Sequence, residues 1–78
     1  MIKVYSTPTC SSCRVLKRFL DDNAIGYQSI DLSKLDKKEL EETINRLDSM
    51  AVPVIEFEDG ELIKGFDLTL IKQKLNLD

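Results

Sequence analysis

The 78-residue sequence contains no histidine, no tryptophan and only two cysteines. Without histidine, the chain has no imidazole for general acid or base catalysis, and most zinc sites are excluded as well. Two cysteines are too few for a disulfide scaffold, and too few for a metal site with four ligands in one chain. The composition therefore excludes a fold stabilised by several disulfides and a metal site with four cysteine or histidine ligands from one chain.

The sequence also lacks an apolar run of the roughly 18–20 residues needed to cross a bilayer. Its first residues do not show the basic region followed by a long apolar region that is typical of a signal peptide. We therefore expect a cytoplasmic protein that has no membrane partner. The net charge of −3 and the isoelectric point near 4.9 argue against a nucleic-acid partner, which requires a basic face. The length predicts a single domain spanning residues 1–78.

Charge is distributed unevenly along the chain. The first twenty residues contain four basic residues and no acidic one, whereas acidic residues dominate the rest of the sequence. The acidic runs are best interpreted as solvated surface. The basic N-terminal region is more informative because it also contains both cysteines; its basic residues are Lys3, Arg14, Lys17 and Arg18.

Apolar periodicity and turn residues predict seven elements in the order β-α-β-α-β-β-α. A helix that joins two parallel strands requires a right-handed crossover, and a terminal hairpin adds two antiparallel strands. The predicted fold class is α/β, with one mixed four-stranded sheet and three helices, of the thioredoxin type. The predicted strands cover residues 2–5, 27–32, 52–57 and 61–64, and the helices begin near Cys10, after Asp36 and after Asp67.

The helices carry local signals of their own. Asp36 is placed to cap the second helix, and Glu39, three residues later, completes a capping box. The first helix should end near Asn23, and Gly26 suits the turn beyond it. Each helix also has a predicted buried stripe: Val15, Leu16, Phe19 and Leu20 in the first, Leu40, Ile44 and Leu47 in the second, and Leu68, Ile71 and Leu75 in the third.

Turn residues organise the C-terminal half of the chain. The second helix is expected to give way at Ser49 and Met50. Asp59 and Gly60 form the dipeptide typical of a two-residue hairpin turn, so the strand at 61–64 should return antiparallel to the strand at 52–57. Asp67 can serve as the N-cap of the last helix.

The motif Cys10-Ser11-Ser12-Cys13 stands where the first strand's loop enters the first helix. Unpaired backbone N–H groups and the positive end of the helix dipole favour a thiolate at Cys10, and Arg14 adds a cation that should tune its pKa. Cys13 lies nearly one turn further on and should be less exposed. It can therefore attack a mixed disulfide formed at Cys10. The arrangement predicts a redox pair with Cys10 as the nucleophile and Cys13 as the resolving thiol.

Three other interpretations compete with a redox pair. A structural disulfide over two intervening residues would close a very small loop and constrain the unfolded chain little. Two core cysteines are disfavoured because Thr9, Ser11 and Ser12 make this segment a polar turn. A zinc site would need two further ligands, which only a site shared between chains could supply. The cysteine spacing, its position and the surrounding βαβ pattern together favour the redox interpretation.

These residues give the sequence a resemblance to the glutaredoxin family over essentially its whole length, and especially to small glutaredoxin-like proteins and NrdH-type redoxins. The resemblance implies that the Val52-Pro53 peptide bond is cis and that Val52 offers its backbone to an extended substrate. An ordinary proline at a strand start is the alternative for Val52-Pro53 taken alone. The resemblance is carried by the segment from Val4 to Cys13, by Ala51-Val52-Pro53-Val54 and by Gly65-Phe66-Asp67.

The sequence departs from the pattern of glutaredoxins that bind glutathione. Thr7 stands where many have a lysine for a glutathione carboxylate, and Ala51 stands where threonine is usual. Gly65 and Phe66 match NrdH-type redoxins, whereas Asp67 matches the acidic residue that glutaredoxins place near the glutathione amino group. A helix cap explains Asp67 equally well. The substrate-binding residues implied by the resemblance are Thr7, Ser11, Ser12, Val52, Pro53, Gly65, Phe66 and Asp67.

The resemblance implies a dithiol–disulfide oxidoreductase that reduces protein disulfides without a bound cofactor. Glutathione, as a co-substrate, or a thioredoxin reductase would restore the dithiol, and ribonucleotide reductase is a typical client of the family. We expect a monomer. Two alternatives stay open: a carrier in which Cys10 and glutathione from two chains hold an iron–sulfur cluster, and a redox-inert interaction domain.

Overall fold

The computed structural model describes residues 1–49 and 51–77; Met50, where the end of the second helix was predicted, lies outside them. The predicted order of strands and helices is confirmed, with one additional 3₁₀ turn after the second strand. The elements are β1 (Ile2–Ser6), α1 (Ser11–Asp22), β2 (Tyr27–Asp31), the 3₁₀ turn (Leu32–Lys34), α2 (Lys37–Leu47), β3 (Val54–Glu56), β4 (Leu62–Lys64) and α3 (Leu68–Leu75).

The four strands form one mixed sheet in the order β2-β1-β3-β4. β1 and β2 are parallel, with Ile2 opposite Tyr27, while β3 is antiparallel to both β1 and β4. Because parallel strands end at the same edge of a sheet, the segments that follow Ser6 and Asp31 leave the sheet side by side. The cysteine motif follows the first of these strand ends.

The two faces of the sheet are covered by different helices. On one face, Val4 and Ile55 pack with residues of α1 and α3, including Leu16 and Ile71. On the other face, Tyr5 and Val54 pack with Leu47 of α2. Neighbouring residues of β1 and β3 thus point to opposite faces, as the pleat of a strand requires. Residues Val4, Leu16, Leu47 and Ile71 are all at most 1% exposed.

The predicted buried stripe of α1 is only partly correct. Leu16 and Leu20 are buried and Phe19 packs against the core, but Val15 is 54% exposed. Cys13 is the third buried residue of this helix. The reason is helical phase, because Cys13, Leu16 and Leu20 follow the i, i+3, i+7 spacing of a single face and Val15 lies beside it.

The third helix and the end of the first also differ from the prediction. Leu68 is 38% exposed, whereas Ile71 is fully buried and Leu75 packs against the core. α1 is capped at Asn23 as predicted, but the residue with positive φ is Ala24, at 55°. Gly26 does not have a positive φ, so the turn after α1 does not depend on the left-handed conformations that glycine can adopt.

The N-cap predicted for α2 is confirmed. The Asp36 carboxylate accepts the backbone N–H of Glu39 at 2.8 Å. The helix ends at Asp48, which has φ 52° and ψ 40°. Asp48 thus occupies the left-handed position at which helices commonly end.

The β3–β4 hairpin returns antiparallel as predicted, but its turn is one residue longer. Glu58, Asp59 and Gly60 form the loop: the N–H of Gly60 donates to the carbonyl of Phe57, and the N–H of Phe57 donates to that of Glu61, both at 2.9 Å. Only Gly60 in this loop has a positive φ, of 89°. This is the pattern of a three-residue loop ending in a left-handed glycine, not of the predicted two-residue turn, in which both central residues need positive φ.

The helices of residues 1–49 and 51–77 are too short and too polar for any of them to cross a bilayer.

Candidate active site

The cysteine motif lies at the N-terminal end of α1, directly after the turn that leaves β1. The N–H of Cys10 donates to the carbonyl of Thr7 at 3.3 Å, which closes this turn. Cys10 is the N-cap of α1, with extended φ and ψ angles of −87° and 107°, and Ser11 is the first helical residue. The predicted strand-to-helix position of the motif is therefore confirmed.

Cys10 and Cys13 are joined by a disulfide, with their Cα atoms 5.3 Å apart. This separation lies within the range of about 4.4–6.8 Å usual for disulfides. The two cysteines differ in access to solvent: Cys10 is half-buried, and Cys13 is 1% exposed. The pair can therefore form and break a bond in this backbone geometry while only Cys10 meets an incoming molecule.

Two polar groups contact the Cys10 sulfur. It accepts the backbone N–H of Cys13 at 3.1 Å, and the hydroxyl of Ser12 lies 3.4 Å away. No acidic residue occurs in the first turn of α1. Arg14 follows one turn after Cys10 and is exposed. In the reduced protein, the N–H of Cys13, the hydroxyl of Ser12 and the N-terminal end of the helix dipole would stabilise negative charge on the Cys10 sulfur.

The Val52-Pro53 peptide bond is cis, as the resemblance implied. Pro53 is buried, and the half-buried Val52 packs against the core on the α2 side of the sheet. The carbonyl of Pro53 accepts the N–H of Gly65 at 2.7 Å, which ties the start of β3 to the end of β4. Gly65 has a φ of 85°, a conformation that residues other than glycine rarely adopt.

The two residues before α3, Phe66 and Asp67, differ in their exposure. Phe66 is half-buried and packs against the hydrophobic core formed with α1 and α3. Asp67 is exposed, and its carboxylate accepts the N–H of Leu70 at 3.2 Å. Asp67 is therefore a helix cap, and Phe66 offers only part of its ring to a partner.

Thr7 lies beside a shallow apolar depression of about 220 Å³ that sequence reasoning missed. The depression lies between the 3₁₀ turn and α2, at the edge of the sheet from which the cysteine motif also extends. Nothing in the sequence pattern indicated it, because its lining comes from three separate segments; these residues are Thr7, Leu32, Ser33, Leu40 and Ile44.

A polar network that the sequence did not suggest fixes α2 to the sheet. The hydroxyl of Tyr5 donates to the Glu56 carboxylate at 2.8 Å, and Arg46 hydrogen-bonds both of these residues. Burial and the bond to Glu56 raise the pKa of Tyr5. Burial also favours a higher pKa for Glu56, but the hydrogen bonds from Tyr5 and Arg46 outweigh it, and the pKa of Glu56 is lowered. The network thus holds Glu56 ionised and joins β1, β3 and α2.

Hydrogen bonds among the predicted site residues form separate groups. One contains Thr7, Cys10, Ser12 and Cys13 at the start of α1, and another joins Pro53 to Gly65. Arg14 and Ser11 belong to the exposed side of α1.

Comparison with known proteins agrees with this fold and site. The model of the glutaredoxin family matches residues 2–63. A glutaredoxin-like 8.6 kDa protein of the rubredoxin operon of Clostridium pasteurianum, itself uncharacterised, is 40% identical over 67 residues, covering 86% of this chain and 87% of that protein.

Solved structures of similar proteins align over nearly the whole chain. A mutant of the thioredoxin-like protein BC3987 is 32% identical, with a TM-score of 0.86, and the alignment covers 99% of this chain and 96% of that one. The glutaredoxin of Methanosarcina mazei Go1 is 25% identical, with a TM-score of 0.85, over 97% and 78% of the two chains. These matches confirm the predicted thioredoxin fold. By sequence and by structure, the chain belongs to the glutaredoxin family.

Proposed function

We propose that this protein is a dithiol–disulfide oxidoreductase that reduces protein disulfides through Cys10 and Cys13. The observation that carries the proposal is the asymmetry of the pair at the start of α1. The half-buried Cys10 sulfur receives stabilising donors, whereas Cys13 is 1% exposed and lies within bonding distance. One sulfur is thus suited to attack and the other to resolve.

The reaction has two thiol–disulfide exchanges. The Cys10 thiolate attacks one sulfur of the client disulfide, forming a mixed disulfide and releasing the other client sulfur as a thiolate. Cys13 then loses its proton and attacks the Cys10 sulfur, which releases the second client thiolate and leaves the Cys10–Cys13 disulfide. Two electrons pass to the client in each cycle, and two must be returned by a reductant.

The substrate-binding part of the proposal extends to residues around the motif. The backbone of Val52, before the cis proline, would pair with the client chain next to its disulfide, since a buried Pro53 fixes this segment. Ser11 and Ser12 would contact the client at the helix start. Further substrate contacts are proposed for Thr7, Gly65, Phe66 and Asp67.

The proposed reductant is a thioredoxin reductase or glutathione, and the proposed setting is the cytoplasm. Thr7 supplies no positive charge for a glutathione carboxylate, which favours the reductase. A charge-assisted hydrogen bond contributes roughly 1.5–3 kcal/mol, so its absence corresponds to about a ten- to hundredfold weaker binding of glutathione.

Trapping experiments test the proposed roles. Cys13→Ser should accumulate a mixed disulfide with a client, because the resolving thiol is missing. Cys10→Ser, the matched control, should accumulate none. Equal trapping by both variants would contradict the assignment of the nucleophile.

Titration of thiols separates an active pair from an inert domain. The wild-type protein should lose two thiols with mild oxidant and regain both with a dithiol reductant. If the two thiols resist oxidation, or cannot be recovered, the proposed activity is wrong.

A further inference from the structure

One exposed face of α1 begins immediately after the proposed nucleophile. Ser11, Arg14, Val15 and Arg18 are all exposed, and their spacing places them along one side of the helix. The opposite side of α1 packs on the sheet through Cys13, Leu16 and Leu20. This outer face, here called the α1 docking face, therefore begins at the residue that follows Cys10.

The α1 docking face carries positive charge in a protein of net charge −3. All 14 acidic residues of the chain lie after residue 20. Arg18 makes only a loose pair with Asp22, at 3.8 Å between exposed groups. Within residues 1–49 and 51–77, no carboxylate lies within 4.0 Å of Arg14. Arg14 therefore has no carboxylate neighbour at this distance among these residues, and the loose pair with Asp22 leaves Arg18 able to attract other acidic groups.

Val15 adds an apolar contact between the two arginines. Its side chain is 54% exposed, because it lies beside the buried face formed by Cys13, Leu16 and Leu20. A single exposed aliphatic residue is ordinary on a protein surface. Its position is what distinguishes Val15, because it is flanked by Arg14 and Arg18 and lies little more than one turn beyond the reactive cysteine.

We propose that the α1 docking face binds the client protein, through a segment that carries an aliphatic residue followed by acidic residues beside the disulfide. The inference rests on the proposed disulfide reductase function and names the client chemistry that the same site would select. Val15 would contact the aliphatic side chain, and Arg14 and Arg18 would contact the carboxylates.

The helix geometry sets the spacing expected in the client. Val15 is five residues from Cys10, which corresponds to about 7–8 Å along the helix at about 1.5 Å per residue. An extended client chain that runs parallel to the helix axis covers this axial distance in about two residues at about 3.3 Å each. Arg18 is about 12 Å from Cys10 along the helix, which corresponds to three or four client residues.

Three synthetic probes test this selectivity. The first is a disulfide-bonded peptide with leucine two residues after a cysteine and glutamates at the third and fourth positions. The second peptide replaces both glutamates by lysines. The third probe, bis(2-hydroxyethyl) disulfide, has neither an aliphatic side chain nor a carboxylate to contact the α1 docking face. Its rate therefore reports on the thiol chemistry alone. The measurement is the second-order rate constant with chemically reduced protein, so that no reductase or glutathione is involved.

The wild-type protein should reduce the glutamate peptide about two- to tenfold faster than the lysine peptide, as expected for exposed charge pairs. Raising the salt from about 50 mM to about 500 mM should remove most of this preference, since exposed charges are then screened. Equal rates with the two peptides at low salt would overturn the proposal.

Arg18→Glu tests the charge, with Lys38→Glu as the matched control. Both variants change the net charge by the same amount, but Lys38 is exposed on α2, on the other side of the sheet. Arg18→Glu should abolish or invert the preference for the glutamate peptide, and Lys38→Glu should retain it. If both variants lose the preference for the glutamate peptide equally, the net charge of the protein explains that preference, and the proposed role of the α1 docking face is wrong. Arg14 is left unchanged because its substitution would also affect the neighbouring thiolate.

Val15→Ser tests the apolar contact, with Leu70→Ser as the matched control. Leu70, on α3, is 49% exposed, so both substitutions remove a comparably exposed aliphatic group. Val15→Ser should slow reduction of the glutamate peptide by about two- to fivefold, from the loss of a partly buried methyl contact. Leu70→Ser should have no such effect, and neither variant should alter the rate with bis(2-hydroxyethyl) disulfide. An equal loss in both variants would refute the role of Val15.

Failure of the proposed function gives a different result. If the wild-type protein reduces none of the three probes, the proposed oxidoreductase activity is wrong, and the proposed role of the α1 docking face is then wrong as well. Reduction of bis(2-hydroxyethyl) disulfide without discrimination between the peptides refutes only the docking face.

Discussion

Cys10 and Cys13 carry the same chemical group, so the different roles proposed for them must come from their surroundings. Cys10 caps α1 and is half-buried, whereas Cys13 occupies the buried face of the helix, three residues later. The backbone N–H of Cys13 donates to the sulfur of Cys10, so it would also stabilise a thiolate at Cys10 in the reduced protein. A single turn of helix thus places one cysteine partly in solvent and buries the other, which is the basis of the proposed roles.

This asymmetry predicts selective alkylation of the reduced protein. With limiting iodoacetamide at mildly acidic pH, Cys10 should react at least about tenfold faster than Cys13, because thiolate character and exposure both control reactivity. Peptide mapping by mass spectrometry measures the ratio of the adducts. Predominant labelling of Cys13 would contradict the assignment.

Glu56 provides a second prediction at the level of one residue. Its pKa in the folded protein is lowered from the ordinary value of 4.5: burial acts to raise it, and the bonds from Tyr5 and Arg46 prevail. A lowered folded-state pKa means that ionised Glu56 stabilises the fold above pH 4.5, and that this contribution is lost as the pH falls through the folded-state value. Glu56→Gln should therefore lower the free energy of unfolding at neutral pH by about 1–2 kcal/mol.

Urea denaturation at several pH values measures this effect. Between about pH 5 and pH 3, stability should fall less steeply in Glu56→Gln than in the wild type. Glu58→Gln is the control, because Glu58 pairs with the N-terminal amine in an exposed position and should contribute less than about 0.5 kcal/mol. Parallel pH profiles for the wild type and Glu56→Gln would show that the network does not act in this way.

At the level of elements, hydrogen bonds and backbone conformation fix the ends of helices and strands. The cap at Cys10 starts α1, and the hydrogen bond between Gly65 and Pro53 joins the segment before β3 to the end of β4. In the β3–β4 hairpin, the left-handed conformation of Gly60 makes the chain reverse after a three-residue loop. The backbone conformation, and not a lack of space, favours glycine at this position, because a Cβ atom added to Gly60 would meet nothing within 4 Å.

Two glycine substitutions test this role of backbone conformation. Gly60→Ala should destabilise the protein by about 1–2 kcal/mol, since a left-handed conformation is costly for an L-residue with a side chain. Gly26→Ala should be neutral or stabilising by up to about 1 kcal/mol, because Gly26 has no positive φ and its added Cβ would approach only the Met1 side chain, at 4.0 Å. Urea denaturation compares the two variants, and equal losses would refute the argument.

At the scale of the whole molecule, the sheet separates two environments. α1 and α3 cover the face that contains Val4 and Ile55, and α2 covers the face that contains Tyr5 and Val54. The cysteine motif lies at an edge of this sheet, at the start of α1. A reductant or client that reaches the motif would approach at this edge, and we expect the residues there to influence the choice of partner.

Thr7→Lys tests that choice. With NADPH as the electron source, the wild type should turn over faster with thioredoxin reductase than with glutathione and glutathione reductase. Thr7→Lys should improve turnover with glutathione by about tenfold, the value of one charge-assisted hydrogen bond. Efficient turnover of the wild type with glutathione, unchanged in Thr7→Lys, would contradict the preference for the reductase.

Phe66 is a second test of partner choice. Phe66→Ala should impair reduction by the reductase, because we propose that the accessible part of the ring contacts that partner. Because Phe66 also packs against the core, Phe66→Leu serves as a control that keeps an apolar side chain at this position. The stability of both variants is measured to separate loss of packing from loss of a partner contact. Both variants keeping full activity with the reductase would exclude a contact there.

The sequence by itself determined the order of the elements, the cap at Asp36 and the position of the cysteine motif at the start of the first helix. These features depend on residues close together in the chain: periodic apolar side chains, a capping aspartate and two cysteines three positions apart. The resemblance to glutaredoxins, also read from short motifs, correctly implied the cis bond before Pro53.

Only the tertiary structure decided which side chains face the core and which distant groups meet. Val15 fits an apolar stripe in sequence, but packing of α1 on the sheet buries Cys13 instead and leaves Val15 in solvent. Tyr5, Arg46 and Glu56 come together from three separate elements. Local sequence patterns specify the period of a helix. They do not specify which side of the helix faces the sheet or which distant segments make contact, because both depend on how the whole core packs.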